Sequence, residues 1–466
     1  MKIKNNKAED VRITYIGGGS RGWAWNLMSD LAVEEKMSGI VTLYDINLEA
    51  AENNVTIGTL LQKESGKENF TYRACGDLKE SLKGADFVVI SILPGSFDEM
   101  ESDVHVPEKY GIYQSVGDTT GPGGILRALR TLPMYVEIAN AIKEVSPDAW
   151  VINYTNPMGA CVRILYEVFP EIKAFGCCHE VFGTQELLAR LAEREFGIEK
   201  IDRSDIKINV LGLNHFTWIN EASYQGRDLI PVYAKAAETY KEGIELDAGK
   251  NWMNNYFASA NCVKFDLFRR YGVIAAAGDR HLAEFCPGWY LKSPEVAKSY
   301  KFTLTPVSWR KQNLTELLEK SRKQVSGEEP VKITPSGEEG VRQMKALLGL
   351  ETFITNVNIP NRGQISNIEE GVVVETNAVF SQDSVKPVFA GKMGRDILEL
   401  TRPHIYTQDA VIEACLQQSL KPAFLAFAND RLVSLPMKEI ESLFREMVEN
   451  TSSYLDEYYG YKKNRN

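Results

Sequence analysis

The chain has 466 residues, of which 44% are hydrophobic and 25% charged, an ordinary balance for a globular protein with a large core. Its formal net charge of −10 argues against general nucleic-acid binding, because neutralising phosphates needs a basic surface. No run approaches the roughly 20 apolar residues that span a bilayer, so no membrane association is expected. Seven cysteines, an odd number without framework spacing, read as free thiols in a reducing cytoplasm; the start, "MKIKNNKAEDVRITYIGGG", lacks a signal-peptide core.

In chain order, "VRITYIG", "IVTLYD", "DFVVISI", "AWVINYT" and "KAFGCC" are short β-branched apolar runs, with helix-length segments at 22–37, 47–65 and 184–196 between and after them. Such alternation predicts βαβ units and a doubly wound parallel sheet, an α/β Rossmann-like domain over residues 10–205. From 206 the pattern changes. "IKINVLGLNHFTWINEASY" suits paired strands, 232–272 and 289–350 read as mostly helical around the polar "SGEEPVKITPSGEEG", "GVVVETNAVF" is a further strand, and 389–459 is helical. This predicts an α+β domain over 206–459 that carries substrate and metal, and a disordered tail over 460–466.

"YIGGGSRGW" sets Gly17, Gly19 and Gly22 in G-x-G-x-x-G register after a strand and before a helix, the arrangement that lets a backbone approach a pyrophosphate. The following strand ends in Asp45, whose carboxylate suits a ribose 2′-hydroxyl and repels a 2′-phosphate. NAD is therefore expected over NADP. At the end of another strand, "VINYTNPMG" carries Asn153 and Asn156; they serve either a plain turn before a helix or the nicotinamide and substrate.

"AFGCCHEVFG" places Cys177, Cys178 and His179 after a buried run, and "GLNHFTW" places His215 at another strand end. Taken alone the cysteines could be core residues; taken with His215, Cys178 offers a thiolate and imidazole pair for one open divalent-metal site. "GDRHLAEF" groups Asp279, Arg280, His281 and Glu284, either a solvated helix start or an acid–base set with an arginine for an anion. The long loop "YGIYQSVGDTTGPGGILRALR" supplies Asp118 and Arg127, and a loop of that length is usually functional.

Together these motifs, in this order across roughly residues 10 to 450, resemble glycoside hydrolase family 4, the NAD- and Mn²⁺-dependent glycosidases. The wider stretches look most like its α-galacturonidase branch. The resemblance implies a dehydrogenase-like fold of the lactate and malate type, Cys178 and His215 as Mn²⁺ ligands, and Gly17, Gly19, Gly22, Asp45 and Asn153 at NAD. It also implies His179 and Asp279 at the reacting sugar, and Asp118 and Asn156 as substrate or cofactor contacts; from the residues themselves, His281 is a further catalytic candidate and Arg280 the candidate substrate contact for a uronate carboxylate. The C2 base is left between Asp279 and His281. The implied reaction oxidises C3, removes the C2 proton, eliminates at C1, adds water and returns the hydride; a homodimer or homotetramer is implied as well. The alternatives are another family 4 α-glycosidase, acting on a glucoside or glucuronide, and an NAD-dependent hydroxy-acid dehydrogenase.

Overall fold

The computed structural model describes residues 1–245, 252–253 and 255–461. Six strands form its parallel core: β1 (Lys7–Ile16), β2 (Met37–Tyr44), β3 (Phe70–Cys75), β4 (Phe87–Ile90), β5 (Trp150–Asn153) and β6 (Lys173–Gly176). Their order is β3-β2-β1-β4-β5-β6, all parallel, which is the dinucleotide-binding arrangement with its reversal point between β1 and β4. β4 shows why a central strand reads as an unbroken apolar run: Phe87, Val88, Val89 and Ile90 are all buried because helices cover both faces. Each such side chain contributes about 1.5–3 kcal/mol by leaving water.

The sheet does not stop at β6. β7 (Ile206–Leu213) and β8 (Phe216–Tyr224) form a hairpin in a separate four-stranded sheet with the short strands Arg227–Asp228 and Ile274–Ala275. β9 (Phe353–Pro360), β10 (Val373–Ser381) and β11 (Ser384–Pro387) instead extend the parallel sheet antiparallel, β9 meeting β6 at Asn358 and Gly176. Strands from late in the chain thus close the sheet beside the end of β6. The pattern of the sequence predicted neither β3 nor β9.

Six helices place the side chains that matter: α1 (Trp23–Val33), α2 (Gly121–Val145), α3 (Glu180–Phe196), α4 (Cys262–Tyr271), α5 (Asp279–Phe285) and α6 (Val307–Ser326). α3 follows Cys178 and His179 directly and stops at Gly197, which takes the left-handed conformation that favours glycine. No helix among the described residues is long and apolar enough to cross a membrane. Of the expected C-terminal tail, Gly460 ends the helix Asp456–Tyr459, and residues 462–466 lie outside the described residues.

Candidate active site

The carboxyl ends of β1, β2, β4, β5 and β6 deliver the glycine turn, Asp45, Ser91, Asn153 and the Cys177–Cys178 pair to one edge of the sheet. The turn after β1 is tight. Gly17 has φ 92°, and a Cβ there would sit 2.1 Å from the Ser91 carbonyl oxygen; a Cβ on Gly19 would sit 2.7 Å from Ala50 Cβ. Gly19 N–H donates to Asp45 Oδ2 at 2.8 Å, and Asn47 N–H donates to Oδ1 at 2.9 Å, so backbone amides fix the Asp45 carboxylate at the end of β2. Gly22 is different: nothing lies within 4 Å of a Cβ there, so packing does not require glycine at the third position of the fingerprint.

Further along the same edge, donor atoms of Asp118, His215 and His281 lie within 4.8 Å of one another. Three separate elements bring them together. Asp118 comes from the loop before α2, where Glu284 of α5 accepts from the Val116 and Gly117 amides at 2.7 and 2.8 Å and so pins the loop. His215 occupies the two-residue turn between β7 and β8 with φ 63°, a left-handed conformation uncommon for a non-glycine residue and suggestive of a functional constraint. His281 lies on α5, its ring stacked on His215 with centroids 3.7 Å apart.

Hydrogen bonds settle the His215 tautomer. The Thr119 hydroxyl donates to Asp118 Oδ1 at 2.7 Å, and the same oxygen lies 2.9 Å from His215 Nδ1. With its one proton spent on Asp118, the hydroxyl accepts from Nδ1–H, which leaves Nε2 with a bare lone pair. Burial and the neighbouring His281 lower His215 to about 3, so it is neutral; burial lowers His281 as well. Glu180, in the first turn of α3, accepts from the Gly278 amide at 2.8 Å and has Oε1 3.6 Å from His281 Nε2. Burial would raise its pKa, but His281 and His215 beside it hold it at about 2. Asp118 is likewise held below the usual carboxylate range by His215, His281 and Arg127 against the effect of burial.

A sequence model of the family 4 glycosyl hydrolases matches residues 12–194, and that of the family's C-terminal domain matches residues 210–433. The chain belongs to the family 4 glycosyl hydrolases. It is 60% identical to an alpha-galacturonidase of Thermoanaerobacterium saccharolyticum over 459 residues, 98% of this chain and 99% of the relative. A solved Bacillus subtilis structure, provisionally described as a glucosidase, shares 51% identity with a TM-score of 0.90, covering 94% of this chain and all of that one. A 6-phospho-alpha-glucosidase from gut microorganisms, solved in complex with NAD and Mn²⁺, shares the fold at 18% identity and TM-score 0.79, over 96% of this chain and 99% of that one.

Within this family 4 chain the remaining predicted site residues fall in several places. Cys178 is buried at the end of β6, outside the 4.8 Å group; burial and the nearby Glu375 and Glu180 push its thiol up, and Asn214 donates toward it. Its carbonyl accepts from Asn356 of β9 at 3.2 Å. Asn156 Nδ2 reaches Asp118 Oδ2 at 3.4 Å, while its buried Oδ1 has no partner among the described residues. Arg280 donates to the Ser115 carbonyl at 2.8 Å and to the Thr305 hydroxyl, and its buried Nε is unpartnered among the described residues.

Three predicted residues are occupied elsewhere. The Asn153 amide is taken up by the Tyr135 hydroxyl, the Thr155 amide and the Thr155 carbonyl, so it shapes the turn after β5. Asp279 Oδ1 accepts from the Lys264 amide at 3.1 Å in the first turn of α4 while its buried Oδ2 has no partner among the described residues, and burial pushes its carboxyl up to about 6. His179 bonds Glu338 at 2.8 Å, with Trp23 of α1 beside it at 6.1 Å between ring centroids. Conversely, Glu180 and Thr119 form part of the site without a role read from the sequence, and Glu284, grouped there with the possible acid–base residues, instead holds the Asp118 loop. Glu180 stood in the quoted Cys-His-Glu run, and its place at a helix start after two strand-end cysteines was the available signal.

Proposed function

We propose that the protein is an α-galacturonidase that uses NAD and Mn²⁺ in the redox-elimination route of its family. The observation that carries the reading is the 60% identity to a relative of that name across 98% of the chain. The cofactors are supported by a neighbour of the same fold solved with both, and by the fit of the residues present. The crowded turn at Gly17 and Gly19 suits a pyrophosphate, and Asp45 suits a ribose hydroxyl. His215 is fixed in the tautomer that leaves Nε2 for a metal, so Mn²⁺ would be held by His215 with Cys178, once that thiol has lost its proton. When bound, the nicotinamide supplies a hydride acceptor and donor, and the metal supplies a Lewis acid for sugar oxygens.

The chain's own residues then divide the work. Neutral His281 takes the proton from C2, and the ionised Glu180 carboxylate orients the ring and stabilises its charged form, as an acid does behind any imidazole base. Asp118 stays ionised and, with the Asn156 amide, accepts and donates to sugar hydroxyls. Arg280 faces the substrate's acid group. Glu284 acts at a distance by holding the Asp118 loop. A homodimer or homotetramer is the assembly expected with this reading.

The test is p-nitrophenol release from α-galacturonide, α-glucuronide, α-glucoside and α-galactoside, with and without NAD⁺, Mn²⁺ and thiol, while NADH absorbance is followed. Galacturonide cleavage that needs all three additives without accumulating NADH is the expected result. Steady NADH production without cleavage would move the assignment to a dehydrogenase.

A further inference from the structure

A uronide carries its acid group on C5, so an enzyme that prefers it must set a cation beside the reacting ring, in a chain whose overall charge of −10 opposes an anion. Arg280 is one such cation. Its position is fixed: one side donates to the Ser115 carbonyl and Thr305 hydroxyl, its own carbonyl accepts from the Ser115 hydroxyl at 2.5 Å, and it immediately precedes His281 on α5. A second arginine, Arg310 of α6, approaches the same aromatic ring. The guanidinium groups of Arg280 and Arg310 lie 5.3 and 5.7 Å from the centroid of one ring, that of Phe257.

Bringing two cations onto one ring costs free energy unless an anion joins them. Burial, with Arg310 second, lowers Arg280 to about 10 against Glu284, Glu180 and Asp118, which raise it; burial likewise lowers Arg310. Arg310 nevertheless makes no hydrogen bond or ion pair among the described residues. The charge that acts on it most favourably is Asp118, at the centre of the candidate site. Beside Arg310, Trp309 packs edge-on against Phe257 at 5.3 Å and tilted against Tyr256 at 5.7 Å, which gives the arginine pair an apolar wall. A planar guanidinium matches a carboxylate bidentately.

We propose that Arg310, together with Arg280, forms the subsite that holds the substrate's C5 carboxylate, with Phe257 as the surface across which the two guanidinium groups are spaced. The proposal rests on the galacturonide reading and names the residues that make it specific. Arg280 supplies the anchored half. Arg310 supplies the half that has no hydrogen-bond or ion-pair partner among the described residues.

The experiment uses the full-length protein with NAD⁺ and Mn²⁺, wild type against Arg310→Gln and Arg310→Lys. Calorimetry measures binding of galacturonate and of galactose, and p-nitrophenol release measures cleavage of the two α-glycosides. The galacturonate-to-galactose affinity ratio should fall roughly 10- to 100-fold in Arg310→Gln, the loss expected for one charge-assisted pair, and recover only partly in Arg310→Lys. An equal loss for both sugars, or an unchanged ratio, overturns the subsite while leaving galacturonide cleavage by the wild type intact. A wild type that binds galacturonate through Arg310 yet cleaves no galacturonide supports the subsite and sinks the hydrolase reading instead.

Discussion

The Thr119 hydroxyl lies between Asp118 and His215, donating to the carboxylate at 2.7 Å and accepting from the imidazole Nδ1 at 2.9 Å. The single proton of a hydroxyl fixes both directions, so one side chain decides which nitrogen of His215 can bind metal. Outer hydrogen bonds of this kind are typically worth 10- to 100-fold in metal affinity. Thr119→Val should therefore weaken Mn²⁺ binding by about 10- to 100-fold, and Thr119→Ser should restore it. A manganese titration followed by electron paramagnetic resonance reads this directly; equal affinity in the valine variant would remove the role.

The His281–Glu180 pair predicts both a rate and a pH profile. Solvent deuterium should enter C2 of the sugar during turnover by the wild type, and His281→Asn should slow that exchange by roughly 10²- to 10⁴-fold. Because burial holds the imidazole below its ordinary 6.5, the ring remains neutral, and competent as a base, as pH falls past that value. Loss of kcat/KM on the acid side should accordingly lie below 6.5 and shift down further in Glu180→Gln, where no carboxylate supports the charged ring. Full exchange in His281→Asn would transfer the role to another residue, and Asp279→Asn is the variant to measure next.

How much of this was legible in the sequence depended on what each segment buries. β1, β2, β4, β5 and β6 are covered on both faces and read as apolar runs, so the doubly wound half could be predicted. β9, "FITNVNIP", could not, because Asn356 and Asn358 occupy buried positions where an ordinary core strand would be apolar. Asn356 is spent on Glu375 and the Cys178 carbonyl, so the polarity that hid the strand is what braces the end of β6. His215 was recognisable by its motif, but its place in a two-residue turn with positive φ was not. Asp279 and His281 looked equivalent as neighbours in "GDRHLAEF"; residues two apart on a helix do not share a face, and only His281 meets the cluster. Arg310 lies in a helix whose pattern reads as an ordinary charged surface, so nothing local marked it.

Asp45 should decide the coenzyme, through two effects of one carboxylate. It accepts from Gly19 and Asn47 amides, and it acts electrostatically on Arg21, whose buried Nε has no partner among the described residues. Asp45→Ala should weaken NAD⁺ binding about tenfold by releasing the turn, and should improve NADP⁺ binding by freeing Arg21 for a 2′-phosphate. Fluorescence titration of both coenzymes tests it. A variant that still rejects NADP⁺ as strongly as the wild type would assign Asp45 a purely structural role.

The last prediction concerns the segment between α6 and residue 340, which reaches back over α1 and β6. Ser336 bonds Asp30 of α1 through its amide at 2.8 Å, and Glu338 bonds His179 at 2.8 Å. The hydrogen bond to Glu338 is the main reason His179 is raised to about 9, against burial that lowers it. The imidazole is half exposed, with a side-chain exposure of 52%, so solvent screening keeps the pair weak and the effect local. Its sign follows from linkage. Below 6.5 His179 is charged in both folded and unfolded chains and the pair contributes in full; as pH rises from 6.5 through about 9, the folded state alone retains the proton, and the contribution fades to nothing above that range. Hydrogen exchange in residues 334–340, corrected for the intrinsic rate, should therefore lose protection between about pH 6 and about pH 10 in the wild type. His179→Gln and Glu338→Gln should both flatten that dependence. If the loss persists unchanged in either variant, the segment is held by Ser336 and its other contacts, and the histidine is left free to serve the sugar.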